Sequence, residues 1–154
     1  EIAVRLKHDL RGPGCTTQDA MDAIGEVLPA IEIIDSRYKD FKFDLKSVVA
    51  DNTSAAGWVV GNPVSYHSEI DLPDLDLTLT INGEIVASVK GSAVLGHPAL
   101  SVAMLANHLH KQGRFLPKGA LILTGGASAA FAIQAGDTVS LDIPTIGSLA
   151  LTFE

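Results

Sequence analysis

Hydrophobic and polar positions along this chain fall into short segments whose periods change repeatedly. Glu1 to Lys7 (EIAVRLK) alternates toward its end and predicts a strand. Arg11-Gly12-Pro13-Gly14 predicts a turn. Thr16 or Thr17 can cap a helix running through about Val27. Asp19 stands where a capping box needs its acid, and Ala20, Ile24 and Val27 form one apolar face. Pro29 is expected to end that helix. Ala30 to Asp35 (AIEIID) predicts a buried strand carrying two carboxylates, Leu45 to Asn52 a short helix, Trp58 to Val60 a short strand, and Asn62 to Asp74 a loop.

Leu75 to Val89 gives the clearest local pattern. Two runs rich in Leu, Ile, Val and Thr flank Asn82-Gly83, the signal of a two-residue hairpin turn. Pairing Ile81 with Glu84 puts Leu79 opposite Val86 and leaves the core side of the hairpin open, because both faces mix polar and apolar residues. Pro98 to Gln112 predicts a helix with proline at its first position and Val102, Leu105, Ala106 and Leu109 on one face; Gly113 suits the position just past its end. Ala120 to Thr124 (ALILT) predicts a buried strand followed by a loop of small residues, Gly125 to Ala130. Val139 to Ile143 and Ser148 to Phe153 predict a closing strand pair. Strands dominate and helices are few, so the expected class is α+β with a largely antiparallel or mixed sheet.

The length, 154 residues, predicts one domain spanning 1–154. Hydrophobic residues make up 47% and aromatic residues only 5%, so aliphatic side chains must build the core. The net charge of -7 without a basic stripe argues against nucleic acid and anionic membrane as partners, but not against cations. One cysteine excludes a disulfide framework and a cysteine-based zinc site. No apolar run reaches the roughly 20 residues that span a bilayer, and the expected compartment is the reducing cytoplasm. The sequence opens on Glu1, already inside a strand-like run, which raises the expectation of a further N-terminal segment.

Carboxylates in apolar runs are the first candidates for chemistry. Glu32 sits between Ile31 and Ile33 and faces away from both in a strand. A carboxylate there is costly unless it is paired, protonated or bound to a cation. Asp35 has a possible partner in Arg37, and Glu1 as a terminal acid can simply be solvated. Mg²⁺ takes one or more carboxylates and leaves positions for water and substrate, a use that two acids from two strands can serve. The five histidines have no zinc-site spacing. Thr124-Gly125-Gly126-Ala127-Ser128 exposes backbone N–H groups that can hold a carboxylate or phosphate, or is a plain tight turn. Asp51-Asn52-Thr53-Ser54 offers four polar side chains at a helix stop.

The runs EIAVRLKHDLRGPG, PAIEIIDSRYKDFKFDLKSVVADNTS, NGEIVASVKGSAVLGHPALSVAMLAN, LPKGALILTGGASAA and AGDTVSLDIPTIGSLALTF resemble the fumarylacetoacetate hydrolase superfamily. Within it they are most similar to the branch of 2-oxopent-4-enoate hydratases and 4-oxalocrotonate (2-oxo-3-hexenedioate) decarboxylases of catechol meta-cleavage. The decarboxylase side is closer, since the hydratases more typically carry a D-W-K-I stretch where this chain has Asp40-Phe41-Lys42-Phe43, and a serine-rich turn at Thr124-Gly125-Gly126. The resemblance implies a mixed, mostly antiparallel β-sandwich or roll with a few short helices. It implies a Mg²⁺ or Mn²⁺ site in which Glu1 is the second acid of a Glu-x-Glu pair and Glu32 a third ligand. The pair's first acid and an active-site lysine would lie upstream of Glu1. It further implies a small 2-oxo dicarboxylate substrate contacted by Thr124, Gly125, Ser54 and Asn52, a homo-oligomer, and association with the pathway hydratase. Competing expectations are the hydratase itself, an acylpyruvate hydrolase, and a non-catalytic scaffold.

Overall fold

The computed structural model describes residues 1–154. The strands β1 (Ile2–Leu6), β2 (Ile24–Ile34), β3 (Ala55–Val60), β4 (Val64–Ser65) and β7 (Leu121–Leu123) form one sheet, in the order β3-β2-β1-β7 with β4 also on β2. The strands β5 (Asp76–Ile81), β6 (Glu84–Lys90), β8 (Thr138–Ile143) and β9 (Gly147–Thr152) form a second sheet, in the order β6-β5-β8-β9. The strand pairs are antiparallel. The helices are α1 (Thr17–Ala23), α2 (Leu45–Ala50) and α3 (Pro98–His110). The class is α+β, as expected. No helix is long and apolar enough to cross a membrane.

The core lies on one face of β1, where Ile2, Val4 and Leu6 meet Ile24 and Val27 of β2, Ala99, Val102, Ala103 and Ala106 of α3, and Leu141 and Ile143 of β8. Alternation along β1 sends Glu1, Ala3 and Arg5 to the opposite face. There Ala3, Leu28 and Ala30 form a smaller apolar cluster flanked by Val60, Leu121 and Leu123.

Several local expectations hold. Thr16 caps α1 through a complete capping box with Asp19. Pro98 opens α3, His97 Nδ1 accepts from the Ala99 N–H, and Gly113 takes a left-handed φ of 69° just beyond the helix end.

Others are corrected. The first helix stops at Ala23, and Ile24–Ile34 forms the long strand β2. Tertiary pairing overrides the helical period here, because β2 closes on β1, β3 and β4 at once. Pro29 therefore ends no helix. It sits where β2 changes partner from β4 to β3, so its missing N–H interrupts no continuous ladder. In the hairpin Ile81 pairs with Glu84, but a bulge between Leu79 and Thr80 puts Leu79 opposite Ala87 and not Val86. The core side of the hairpin is the face of Leu77 and Leu79, which pack with the central cluster. Arg37 pairs with Asp51 and not with Asp35.

Candidate active site

The backbone register alone brings Glu1 and Glu32 to one surface. The backbone nitrogen of Glu1 donates to the Ala30 carbonyl at 2.8 Å, and the Ala30 N–H donates to the Glu1 carbonyl at 3.0 Å. Glu32 is two residues beyond Ala30 on β2, so it shares the face of Ala30 and Glu1. Diagonal cross-strand neighbours of this kind lie about 7–8 Å apart, within reach of long side chains. On the other flank of β1, the pairing of Ala3 with Leu123 continues to Thr124 opposite Ile2 and thus Gly125 opposite Glu1. Glu1 is therefore bordered by Ala30 on one side and Gly125 on the other.

Electrostatics bear the mark of that crowding. Oε2 of Glu1 is fully buried and has no hydrogen-bond partner. Burial pushes the Glu1 carboxyl above its ordinary value. The Glu32 charge raises it further, and the Gly125 backbone N–H draws it back. A buried anion with an unpartnered oxygen beside a second carboxylate is a site that a hard cation would complete. Glu1 and Glu32 supply oxygen donors of the kind a divalent metal takes. No group of three or more His, Cys, Asp or Glu side chains gathers around them.

Thr124 sits at the same edge. Its N–H and its hydroxyl both donate to the Ile2 carbonyl, at 3.1 and 2.8 Å, which anchors the start of the Gly125–Ala130 loop to β1. A side chain at Gly126 would come within 3.9 Å of Glu1 Oε1. Asn52 and Ser54 stand elsewhere, in the turn after α2. Ser54 is buried and its carbonyl accepts from the Asp35 N–H at 2.8 Å, three residues past Glu32, while Asn52 is exposed.

A cavity of about 200 Å³ opens beside the two acids. Ile31, Ile33, Leu79, Ile81, Phe131 and Ile133 are among its walls, and no Lys, Arg or His lines it. Sequence reasoning missed this wall, because its residues come from both sheets and from the loop past Ala130. It also missed Trp58, which pairs directly with Glu32 across β2 and β3 and is 58% exposed. The signal available was a lone tryptophan on a short strand.

Residues 1–154 match the model of the fumarylacetoacetate (FAA) hydrolase C-terminal family. The chain belongs to that family. It is 46% identical over 153 residues to the 4-oxalocrotonate decarboxylase of Pseudomonas putida, covering 99% of this chain and 58% of that protein. It is 39% identical to the 2-hydroxyhexa-2,4-dienoate hydratase of Comamonas testosteroni over the same shares. The solved 4-oxalocrotonate decarboxylase from Pseudomonas putida G7, complexed with magnesium and adipate, superposes with a TM-score of 0.95 at 45% identity, over 100% of this chain and 59% of that one. The chain thus spans less than two thirds of the length of these relatives. The superposition shows that the chain has the fold of this family.

Proposed function

We propose that the protein carrying this chain is a divalent-metal-dependent carboxy-lyase that converts 2-oxo-3-hexenedioate to 2-hydroxypenta-2,4-dienoate and CO₂, a step of catechol meta-cleavage. The observation that carries the reading is the Glu1 carboxylate, buried with one oxygen unpartnered and set beside Glu32. Mg²⁺ or Mn²⁺ held by these two acids would supply Lewis-acid stabilisation of the charge that develops on a 2-oxo oxygen.

The chain's own residues do the rest. Thr124 holds the Gly125 turn against β1, beside Glu1. Ile31, Ile33, Leu79 and Phe131 give the adjoining cavity apolar walls. A distal carboxylate seated there meets no Lys, Arg or His from residues 1–154. The C5–C6 bond breaks, its electron pair forms C4=C5, the C3=C4 pair moves to C2=C3, and the 2-oxo oxygen takes the charge and then a proton. Ser54 and Asn52, which lie outside the cavity walls, are assigned as further substrate contacts by the family resemblance.

The hydratase is the second reading, favoured by the 39% identity to a hydratase. The test is turnover of 2-oxo-3-hexenedioate by the full-length protein with Mg²⁺, with and without EDTA. CO₂ release abolished by EDTA is expected, and turnover indifferent to EDTA overturns the metal assignment. Formation of 4-hydroxy-2-oxopentanoate from 2-hydroxypenta-2,4-dienoate, without CO₂ release from the dioate, assigns the hydratase.

A further inference from the structure

Between the end of β2 and the start of β3 the chain makes an excursion over residues 36–54 that packing does little to hold. Helix α2 within it buries no side chain, and Leu45 and Val49 are 78% and 61% exposed. Its own contacts are local: Asp44 caps Ser47, Tyr38 donates its hydroxyl to the Ser47 carbonyl at 3.3 Å, and the Tyr38 and Phe43 rings meet edge to face. The neck is different. The Asp51 side chain is buried and its carboxylate accepts from Arg37 Nε. The other carboxylate oxygen lies 3.4 Å from the Arg37 N–H and 3.5 Å from the Ser54 hydroxyl, and Arg37 Nη2 donates to the Asp51 carbonyl at 2.9 Å.

The three residues that follow, Asn52, Thr53 and Ser54, have φ of 51°, 56° and 62°. Left-handed backbone at three consecutive non-glycine residues is unfavourable and persists only where the surroundings over-determine it. At this neck the surroundings are the Asp35–Ser54 backbone bond and the Arg37–Asp51 pair.

We propose that Arg37 and Asp51 are positioning residues: their ion pair closes the neck of the excursion, holds the left-handed turn, and thereby fixes Ser54, whose hydroxyl lies 3.5 Å from Asp51 Oδ2. The proposal rests on the reading of Ser54 as a substrate contact. It makes Arg37, whose guanidinium is mostly exposed, matter for turnover without contact to the acids or to substrate.

A double-mutant cycle tests it. Arg37→Met, Arg37→Lys, Ser54→Ala and Arg37→Met/Ser54→Ala are made in the full-length protein, and each is measured for kcat and KM with 2-oxo-3-hexenedioate, for Mg²⁺ affinity by calorimetry, and for melting temperature. Arg37→Met is expected to lower kcat/KM about tenfold, with Mg²⁺ affinity unchanged within about twofold; Arg37→Lys falls between it and wild type; the double variant is no worse than Ser54→Ala. Where Arg37→Met does not fold, Arg37→Gln, which keeps a donor toward Asp51 and drops the charge, replaces it in the cycle. Unchanged kcat/KM in the Arg37 variant, full additivity with Ser54→Ala, or a loss of Mg²⁺ affinity that matches the loss of activity overturns the proposal. Wild-type turnover of Ser54→Ala overturns it too and leaves the decarboxylase reading standing. Wild-type protein without metal-dependent turnover overturns the decarboxylase reading, and the positioning role with it.

Discussion

Glu1 and Ala30 exchange both of their backbone hydrogen bonds, and that single registered pair places Glu32 on the face of Glu1, one pleat along β2. Shifting the register by one residue would send Glu32 to the core face and separate the two carboxylates. The site is therefore a consequence of sheet pairing before it is one of side-chain packing.

Glu32→Ala is expected to abolish Mg²⁺ binding in calorimetry and to reduce activity by more than the roughly 10–100-fold typical of changes in the groups around metal ligands. Glu32 is exposed and pairs with no basic side chain, so the melting temperature should be retained. Wild-type activity in this variant would remove Glu32 from the ligand set.

Trp58 gives an optical readout, since it stands directly across from Glu32 and is the only tryptophan in the chain. Titrating paramagnetic Mn²⁺ should quench its fluorescence to saturation. The quench should shrink in Trp58→Phe and be absent in Glu32→Ala; a quench that persists in Glu32→Ala places the ion elsewhere.

Gly91→Ala tests the packing beneath β6. A Cβ there would lie 2.0 Å from the Leu72 carbonyl oxygen and 3.2 Å from Ile2 Cδ1, so backbone must move. A loss of about 3 kcal/mol is expected in urea unfolding, the upper end of overpacking effects. A midpoint equal to wild type would contradict the close approach.

Acid stability should depend on Asp137. Its carboxylate accepts from Asn82 Nδ2 at 2.8 Å and from the Gln134 N–H at 2.9 Å, and these bonds hold its pKa below the ordinary value. A depressed folded pKa contributes stability above the unfolded value, about 3.9, and loses it as pH falls through the folded value. Asp137→Asn should flatten that part of the stability curve, measured as melting temperature between neutral and strongly acid pH. An unchanged slope would show that the carboxylate's bonds are not linked to folding.

Local chemistry is written where the physics is local. The hairpin at Asn82-Gly83, the capping box of Thr16 and Asp19, and the Pro98 start and Gly113 stop of α3 each depend on a few neighbouring residues, and all were legible. Ile24 to Pro29 was misread because an i, i+3 apolar pattern satisfies a helix as well as a strand buried on both faces. What decided it was the pairing of those residues with β1 and β4, which no window of sequence contains. The partner of Asp51 was likewise hidden. Arg37 lies two residues from Asp35 but reaches Asp51 across the neck of the excursion.

By itself, the sequence determined the class, the turn and cap positions, an apolar strand carrying Glu32, and, through its long resemblance, the family and the two acids to examine. Only the tertiary structure decided that Glu1 and Glu32 share a face, that Gly125 borders Glu1, and that an apolar cavity without a cation lies beside them. The physical reason is the range of the interactions. Turn and cap energies are settled within about four residues, whereas the burial that raises the Glu1 carboxyl is supplied by segments brought together only by the closed sheets.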